Sequence, residues 1–151
     1  MVAKDIMTKN VITASPDEKI DKVTKQMLEN KISGIPVVDS ERHVLGMVTE
    51  KDLMIKASEV KVPFYITLFD SIIFLENPIR FSNNLKKYSA SQVKDAMTTK
   101  VVVVEEDMPI SEIVEIMQQK KINRVPVVRH DKLVGIITRN DILKSLVKSN
   151  G

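Results

Sequence analysis

The sequence predicts a mixed fold, α/β or α+β by class, in which two β-α-β-β-α units pack about a pseudo-twofold axis. The first observation is internal repetition, because KDIMT at residues 4–8 recurs as KDAMT about 90 residues later, at 94–98. The second is the order of short β-branched runs and helical spacings within each copy. The third is a composition of 43% hydrophobic and 28% charged residues, which is typical of a folded domain.

The repeat continues in one register through both copies, with a single-residue deletion in one turn. The matched pairs are Asp17 and Asp107, Ile20 and Ile110, Met27 and Met117, Pro36 and Pro126, Gly46 and Gly135, Thr49 and Thr138, and Asp52 and Asp141. We therefore predict a first unit at residues 1–57, an insert at 58–93 and a second unit at 94–151. Two such units can bury their exposed faces against each other, and this arrangement places clefts between them.

Each copy yields its own series of predicted elements. The β-branched runs at 11–14 and 101–104 predict strands. Ser15, Pro16 and Glu18 predict a helix start, with a capping box and proline in the first turn. Two hairpins are expected from residues 35–38 with 44–48 and from 125–128 with 133–137. A closing helix begins near Glu50 in the first copy and near Arg139 in the second, and Met27 and Met117 are core residues.

Composition and charge exclude several classes of function. The chain has no cysteine, so disulfides, thiol catalysis and thiolate metal sites are excluded. Its net charge of +3 is too small to indicate nucleic-acid binding. The amino terminus lacks the apolar run of a signal peptide, and residues 65–75 are interrupted by Asp70 and too short to span a bilayer. We expect a cytoplasmic protein without membrane association.

The most informative motif is Gly-x-x-Thr-x-x-Asp at a predicted strand-to-helix junction. It contains Thr49 and Asp52 in the first copy, and Thr138 and Asp141 in the second. In one interpretation it is only a capping box, with threonine at the N-cap and aspartate at N3. In the other, the carboxylate accepts hydrogen bonds from two ribose hydroxyls, and the helix start favours a phosphate. Its duplication at matched positions favours ligand contact.

The second motif is a loop that leads from a helix into an apolar strand. The first copy reads KISGIPVV and the second KINRVPVV, so Arg124 stands where the first copy has Gly34. A proline near the start of a strand needs no ligand to explain it. Arg124 is either a phosphate clamp beside a cleft or a solvated surface charge. The two copies therefore predict unlike clefts.

These paired motifs resemble those of a tandem CBS (cystathionine-β-synthase) domain pair, also called a Bateman module. The likeness covers residues 4–57 and 94–147, and the motifs are specific as a pair. The resemblance implies regulatory binding of AMP, ADP, ATP or S-adenosylmethionine between the repeats, with no required cofactor, no metal and no catalysis. Asp52 and Asp141 would hold the ribose, with Thr49 and Thr138 near the phosphate or sugar.

The family's crossed arrangement implies two sets of contacts. The Asp141 cleft would be lined by Thr8, Val11, Ile12, Ile32, Ser33 and Gly34. The Asp52 cleft would be lined by Thr98, Val101, Val102, Ile122 and Asn123. Pro36, Arg124 and Pro126 are further candidate ligand contacts that are not assigned to one cleft. Loss of one of these sites is known among family members and is compatible with this sequence. His43 and His130 are predicted to be surface residues outside both clefts.

The insert contains every aromatic residue of the chain: Phe64, Tyr65, Phe69, Phe74, Phe81 and Tyr88. Asn77 and Pro78 predict a helix start, and residues 81, 85 and 88 then share one face. Residues 63–75 fit either a strand or a helix. The aromatic residues form either local core or an interface, so the insert is our candidate contact in a homodimer or with a partner.

The leading hypothesis is a ligand-sensing module that regulates an unidentified effector protein. Three other functions compete with it. An interaction module with vestigial clefts would show no stabilisation by any adenine nucleotide. An enzyme is disfavoured because no acid–base or nucleophile set is evident. Nucleic-acid binding is disfavoured too, although Lys120, Lys121, Arg124 and Arg129 cluster in the sequence, and a steep salt dependence would be its mark.

Overall fold

The computed structural model describes residues 1–58, 65–68, 71–74, 79, 83, 86–88 and 90–148. The first copy contains α1 (Ala3–Ile6), α2 (Ile20–Asn30), β1 (Gly34–Val38), β2 (Val44–Thr49) and α3 (Glu50–Ala57). The insert contributes the antiparallel strands β3 (Tyr65–Leu68) and β4 (Ser71–Phe74). The second copy contains α4 (Val93–Ala96), β5 (Val104–Glu105), α5 (Ile110–Lys120), β6 (Arg124–Arg129), β7 (Lys132–Thr138) and α6 (Arg139–Lys148).

Both predicted hairpins are confirmed. β1 pairs with β2 and β6 with β7, each antiparallel and each with one register shift, between Val37 and Val38 in the first hairpin and between Val127 and Val128 in the second. The second hairpin turns through His130 and Asp131, whose φ angles of 50° and 63° are those of a tight two-residue turn. The closing helices begin at Glu50 and Arg139 as predicted.

The predicted strands at 11–14 and 101–104 are wrong in extent. Only Ala14 forms a bridge, parallel to Val37, and only Val104 and Glu105 form a strand, parallel to β6. The residues before them have no strand partner, and the amides of Val11 and Val101 bond to carbonyls two residues earlier, as in a tight turn. These residues are therefore available to line the clefts.

The predicted helix start at Ser15 is also wrong. α2 begins at Ile20, and the N-cap position is Lys19, which has no side-chain cap. The Glu18 side chain does reach the Ser15 amide, but around a turn before the helix. The chain is held there by the end of the insert and the start of α4, because Ile20 N donates to Ser91 O and Val93 N donates to Glu18 O, each at 2.8 Å.

Two hydrophobic cores hold the fold, and each contains a residue of the other copy. Val93, from the start of the second copy, is fully buried in the core around Ile20, Ile35 and Val48. Ala3, from the start of the first copy, is fully buried in the core of the second. Met27 and Met117 lie in these cores as predicted. The units that pack are thus not the units that repeat in sequence.

The insert is partly described. Within the ambiguous region 63–75, residues 65–68 and 71–74 are strands. Residues 86–88 are helical, and Tyr88 packs on the first core with its hydroxyl 3.5 Å from the Leu53 carbonyl. The predicted helix start at Asn77 and Pro78, and the face positions 81 and 85, lie outside the described residues. Among the helices that are described, none has the length and apolar character to cross a membrane.

Candidate functional site: two clefts between the repeats

The strand-to-helix junction of the first copy forms the predicted capping box. Asp52 Oδ2 accepts from the Thr49 amide at 2.9 Å and from the Thr49 hydroxyl at 3.0 Å. The Asp52 amide donates back to Thr49 Oγ1 at 3.4 Å. One carboxylate oxygen therefore caps α3, and Oδ1 is left for other partners.

The second junction has the same construction. Asp141 Oδ2 accepts from the Thr138 amide at 2.8 Å and from its hydroxyl at 3.0 Å. The Asp141 amide lies 3.3 Å from Thr138 Oγ1. The capping interpretation is thus correct for both copies, and it leaves the second oxygen of each carboxylate open to a further role.

Two backbone bridges between the copies bring a threonine to each aspartate. Met47 and Thr98 exchange two hydrogen bonds of 2.9 Å, and Thr8 and Ile136 exchange bonds of 2.9 and 3.0 Å. Thr98 Oγ1 consequently donates to Asp52 Oδ1 at 2.8 Å. Thr8 Oγ1 lies 3.4 Å from Asp141 Oδ1. The crossed arrangement implied by the resemblance is present in the geometry.

The Asp52 cleft has a volume of about 630 Å³, within the usual range for a small-molecule site. Every residue predicted for it lines it, and so does the candidate Arg124, whereas the candidate Pro126 does not. These lining residues are Thr49, Asp52, Thr98, Val101, Val102, Ile122, Asn123 and Arg124. Pro126 is buried in β6. Arg124 shares its strand face two positions earlier and supplies the lining there, so the structure does not support Pro126 as a contact.

The Asp141 cleft has a volume of about 490 Å³. Its lining includes the predicted residues Thr8, Val11, Ile12, Ile32, Ser33, Gly34, Pro36 and Thr138, but it does not include Asp141. Asp141 is connected to the cleft through Thr8, whose hydroxyl lies 3.4 Å from Asp141 Oδ1. Pro36 lines this cleft where Pro126 does not line the other, because residue 34 carries no side chain.

Sequence reasoning missed most of the cations in the clefts. The Asp52 cleft is also lined by Lys51, Lys100, Lys120 and Lys121, against the single additional acid Glu50. The Asp141 cleft is also lined by Lys31 and Arg139. Each lining carries an excess of positive charge, and clefts with low-dielectric walls concentrate such a field on an anion.

Lys31 and Lys121 have a backbone conformation that indicates a functional role and that the local sequence does not predict. They end α2 and α5 in the left-handed conformation, with φ of 52° and 53°. Glycine is the usual residue at this position because a side chain is strained there. Both copies have lysine instead, and each lysine lines a cleft. Backbone strain of this kind is concentrated at functional sites.

Arg124 is neither on the outer surface nor in one cleft alone. It is partly buried and lines both clefts, together with Ser33 and Asn123. Burial lowers the pKa of the guanidinium from its ordinary value, and the nearby charge of Glu50 opposes this shift. The interpretation as a solvated surface charge is therefore wrong.

The remaining candidates lie outside the clefts. Arg129 pairs with Glu106 at 2.6 Å, so the basic cluster seen in the sequence is divided between a cleft and a surface ion pair. His43 Nδ1 lies 2.9 Å from Asp39 Oδ2 beside the first turn. His130 is exposed in the second turn.

The fold and these clefts define a class of proteins built from two repeated α/β units with paired clefts between them. The family model for the CBS domain matches residues 3–59 and 93–148. The chain therefore belongs to the CBS-domain family. It is 31% identical over 155 residues to the protein MJ1426 of Methanocaldococcus jannaschii, an alignment that covers 97% of this chain and 92% of that protein.

Two further comparisons concern longer proteins and solved structures. The chain is 34% identical over 143 residues to inosine-5'-monophosphate dehydrogenase of the same organism, and spans 94% of itself but only 23% of that enzyme. The AMP complex of CBSX2 has a TM-score of 0.76 at 23% identity, over 99% of this chain and 98% of that one. The CBS pair of MJ0100, in complex with 5'-methylthioadenosine and S-adenosyl-L-methionine, has a TM-score of 0.69 at 23% identity and the same coverage. These likenesses show the fold.

Proposed function

We propose that this chain is a regulatory module that binds an adenosine-containing ligand, such as AMP, ADP, ATP or S-adenosylmethionine, between its repeats. One observation carries the proposal. In each copy the aspartate uses one oxygen to cap its helix and directs the other to a threonine of the opposite copy beside a cleft. CBS pairs solved with AMP and with S-adenosyl-L-methionine support the choice of ligand class.

The chemistry of the Asp52 cleft suits the three parts of a nucleotide. Two adjacent ribose hydroxyls are donors that match a carboxylate with acceptor capacity to spare. Val101, Val102 and Ile122 offer apolar contact for the base. The start of α3, together with the lysines, favours a phosphate. The Asp141 cleft offers Val11, Ile12 and Ile32 in the same roles, with fewer cations.

The module would act through the arrangement of its repeats, or through its assembly with a second copy or an effector protein. A ligand shifts such an equilibrium only by its different affinities for the two arrangements. A homodimer is part of the proposal. Support comes from apolar side chains exposed on the two closing helices, namely Met54 (71% exposed) on α3, and Leu143 (50%) and Val147 (75%) on α6.

A thermal-unfolding panel with AMP, ADP, ATP and S-adenosylmethionine tests the proposal. A ligand at about 100 times its dissociation constant should stabilise the fold by about 2.7 kcal/mol. Guanosine nucleotides at equal concentration are the control for unspecific phosphate binding. If no member of the panel changes the unfolding transition, the clefts are vestigial and the module is an interaction domain.

A further inference from the structure

The side chain of Arg124 crosses from its own copy to the other. Its guanidinium donates a hydrogen bond to Ser33 Oγ. A Cβ added to Gly34 would lie 2.7 Å from Arg124 Nη1 and 2.8 Å from its Cδ. The glycine of the first copy and the arginine of the second are therefore one feature, since the absence of a side chain at 34 makes room for the one at 124.

This guanidinium has lost water without gaining a carboxylate at ion-pair distance, although the charge of Glu50 acts on it from farther away. None of the salt bridges in the described part of the chain includes Arg124, and its hydrogen-bond partner, Ser33, is neutral. A partly buried charge in this condition is costly unless an anion pairs with it. Arginine is suited to a phosphate or carboxylate because its planar fork makes two parallel hydrogen bonds.

Arg124 can serve either cleft but not both at once. It lines the Asp52 cleft with Lys121 and Asn123, and it lines the Asp141 cleft with Ser33 and Gly34. Its guanidinium can make the pair of parallel hydrogen bonds to only one phosphate at a time. We infer that the two clefts compete for Arg124, so that a phosphate-bearing ligand in one cleft weakens the binding of such a ligand in the other.

The inference rests on the proposed function and adds regulation to it. The Asp52 cleft has four lysines besides Arg124, whereas the Asp141 cleft has Lys31 and Arg139. Loss of the shared guanidinium therefore removes a larger part of the positive charge of the Asp141 cleft. We expect AMP in the Asp52 cleft to weaken AMP binding in the Asp141 cleft by about tenfold, the order of one charge-assisted hydrogen bond.

Calorimetric titration with AMP on three proteins tests this inference. In the Asp52→Ala variant the tighter binding step reports the Asp141 cleft, and in the Asp141→Ala variant it reports the Asp52 cleft. In the unmodified protein, the second binding step should be about tenfold weaker than the weaker of these two isolated clefts. Adenosine has no phosphate, and its two steps should equal the two isolated clefts. Arg124→Gln should weaken AMP binding in both clefts and remove the coupling, so that its two AMP steps equal those of Asp52→Ala and Asp141→Ala each combined with Arg124→Gln.

The outcomes separate the inference from the proposed function. If AMP binds the unmodified protein with the same two constants as the isolated clefts, the clefts are independent and the inference is overturned, while nucleotide binding stands. If Asp52→Ala binds no AMP, the Asp141 cleft is not a site and the inference fails. If the unmodified protein binds neither AMP nor adenosine, both proposals fail. Should Arg124→Gln not fold, the comparison of AMP with adenosine decides alone.

Discussion

Thr98 and Asp52 come from different copies of the repeat, and the Thr98 hydroxyl donates to Asp52 Oδ1 at 2.8 Å. The equivalent pair, Thr8 and Asp141, is separated by 3.4 Å. The same side chains in the same motif thus make a good hydrogen bond in one cleft and a weak one in the other. This difference adds to the exchange of Gly34 for Arg124 in making the clefts unlike.

Replacement of these threonines by valine should affect stability unequally. A hydrogen bond to a charged group contributes about 1.5–3 kcal/mol when well formed, and less when it is partly solvated. We expect Thr98→Val to lower the free energy of unfolding by about 1 kcal/mol, and Thr8→Val to lower it by less than half as much. Urea denaturation measures both. Equal losses would show that the two threonines are equivalent in solution.

Replacement of either motif aspartate should separate capping from ligand binding. Asp52→Ala and Asp141→Ala should each cost about 1 kcal/mol of stability through the lost cap. Each should also weaken nucleotide binding in its own cleft by about ten- to a hundredfold, through the lost charged hydrogen bonds. Calorimetry with the best ligand of the panel provides the measurement.

Asp95→Ala is the matched control for these variants. Asp95 accepts from the Gln92 amide at 3.1 Å at the start of α4, and it lines neither of the two clefts between the copies. It should lower stability and leave the affinity for nucleotide unchanged. If Asp52→Ala and Asp141→Ala behave like Asp95→Ala, the motif is a helix cap and our site assignment is wrong.

Two glycines should differ in their tolerance of alanine. A Cβ at Gly46 would lie 2.7 Å from the carbonyl oxygen of Thr98, a backbone atom held by the bridge between the copies. The three atoms nearest to a Cβ at Gly34 all belong to the flexible side chain of Arg124. We expect Gly46→Ala to cost about 1–3 kcal/mol, as overpacking does, and Gly34→Ala to cost less than about 1 kcal/mol. Thermal or urea unfolding that ranks them in reverse would contradict this account.

Glycine at the strained end of α5 should increase stability and weaken binding together. Lys121 has a φ of 53°, so Lys121→Gly should raise the free energy of unfolding by about 1 kcal/mol. It also removes a cation from the Asp52 cleft, so AMP affinity there should fall. Lys31→Gly is the matched variant, with the same gain in stability but a loss in the Asp141 cleft. A gain in stability with unchanged affinity would show that these lysines do not contact the ligand.

Acid should destabilise the fold in part through Glu106. Hydrogen bonds from the Arg129 guanidinium hold the pKa of Glu106 below its usual value. Since the folded-state pKa is the lower one, this stabilisation is complete above the unfolded-state pKa of about 4.3 and is lost as pH falls through the folded-state value. In Glu106→Gln, the free energy of unfolding should therefore decrease less steeply as the pH falls below about 4. If the pH dependence of stability at acid pH is the same in the variant, the Glu106–Arg129 ion pair does not contribute to acid destabilisation.

Local features of the fold were predictable from sequence, and features made by contacts between the copies were not. The Thr49–Asp52 cap was predictable because threonine and aspartate three residues apart satisfy each other's backbone. The start of α2 was not, because its position depends on Ser91, about 70 residues away. The residues at 11–13 have strand propensity but no strand partner, since only Ala14 reaches β1.

The membership of each cleft followed from the doubled motif and the family resemblance, but its charge did not. The sequence around Lys100 and Lys120 does not indicate that they face a cleft. Only the packing of the copies places both in the Asp52 cleft. Arg124 was recognised as unusual beside Gly34. Its position across both clefts required the path of its side chain, which depends on the opposite copy.

The exchange of leading segments between the two cores has a consequence for how the chain folds as it is synthesised. Val93 completes the first core, and it lies about 40 residues after Glu50, where the last helix of the first copy begins. During synthesis on the ribosome this core therefore stays incomplete until Val93 has emerged. Ala3 is buried later still, because its amide bonds to the Met108 carbonyl and its core includes Ile137, both of which are synthesised after Val93. Contacts so distant along the chain slow folding, since a long loop must close before they form. Neither copy can reach its native core alone, and the clefts come into being only in the last step, when both cores close together.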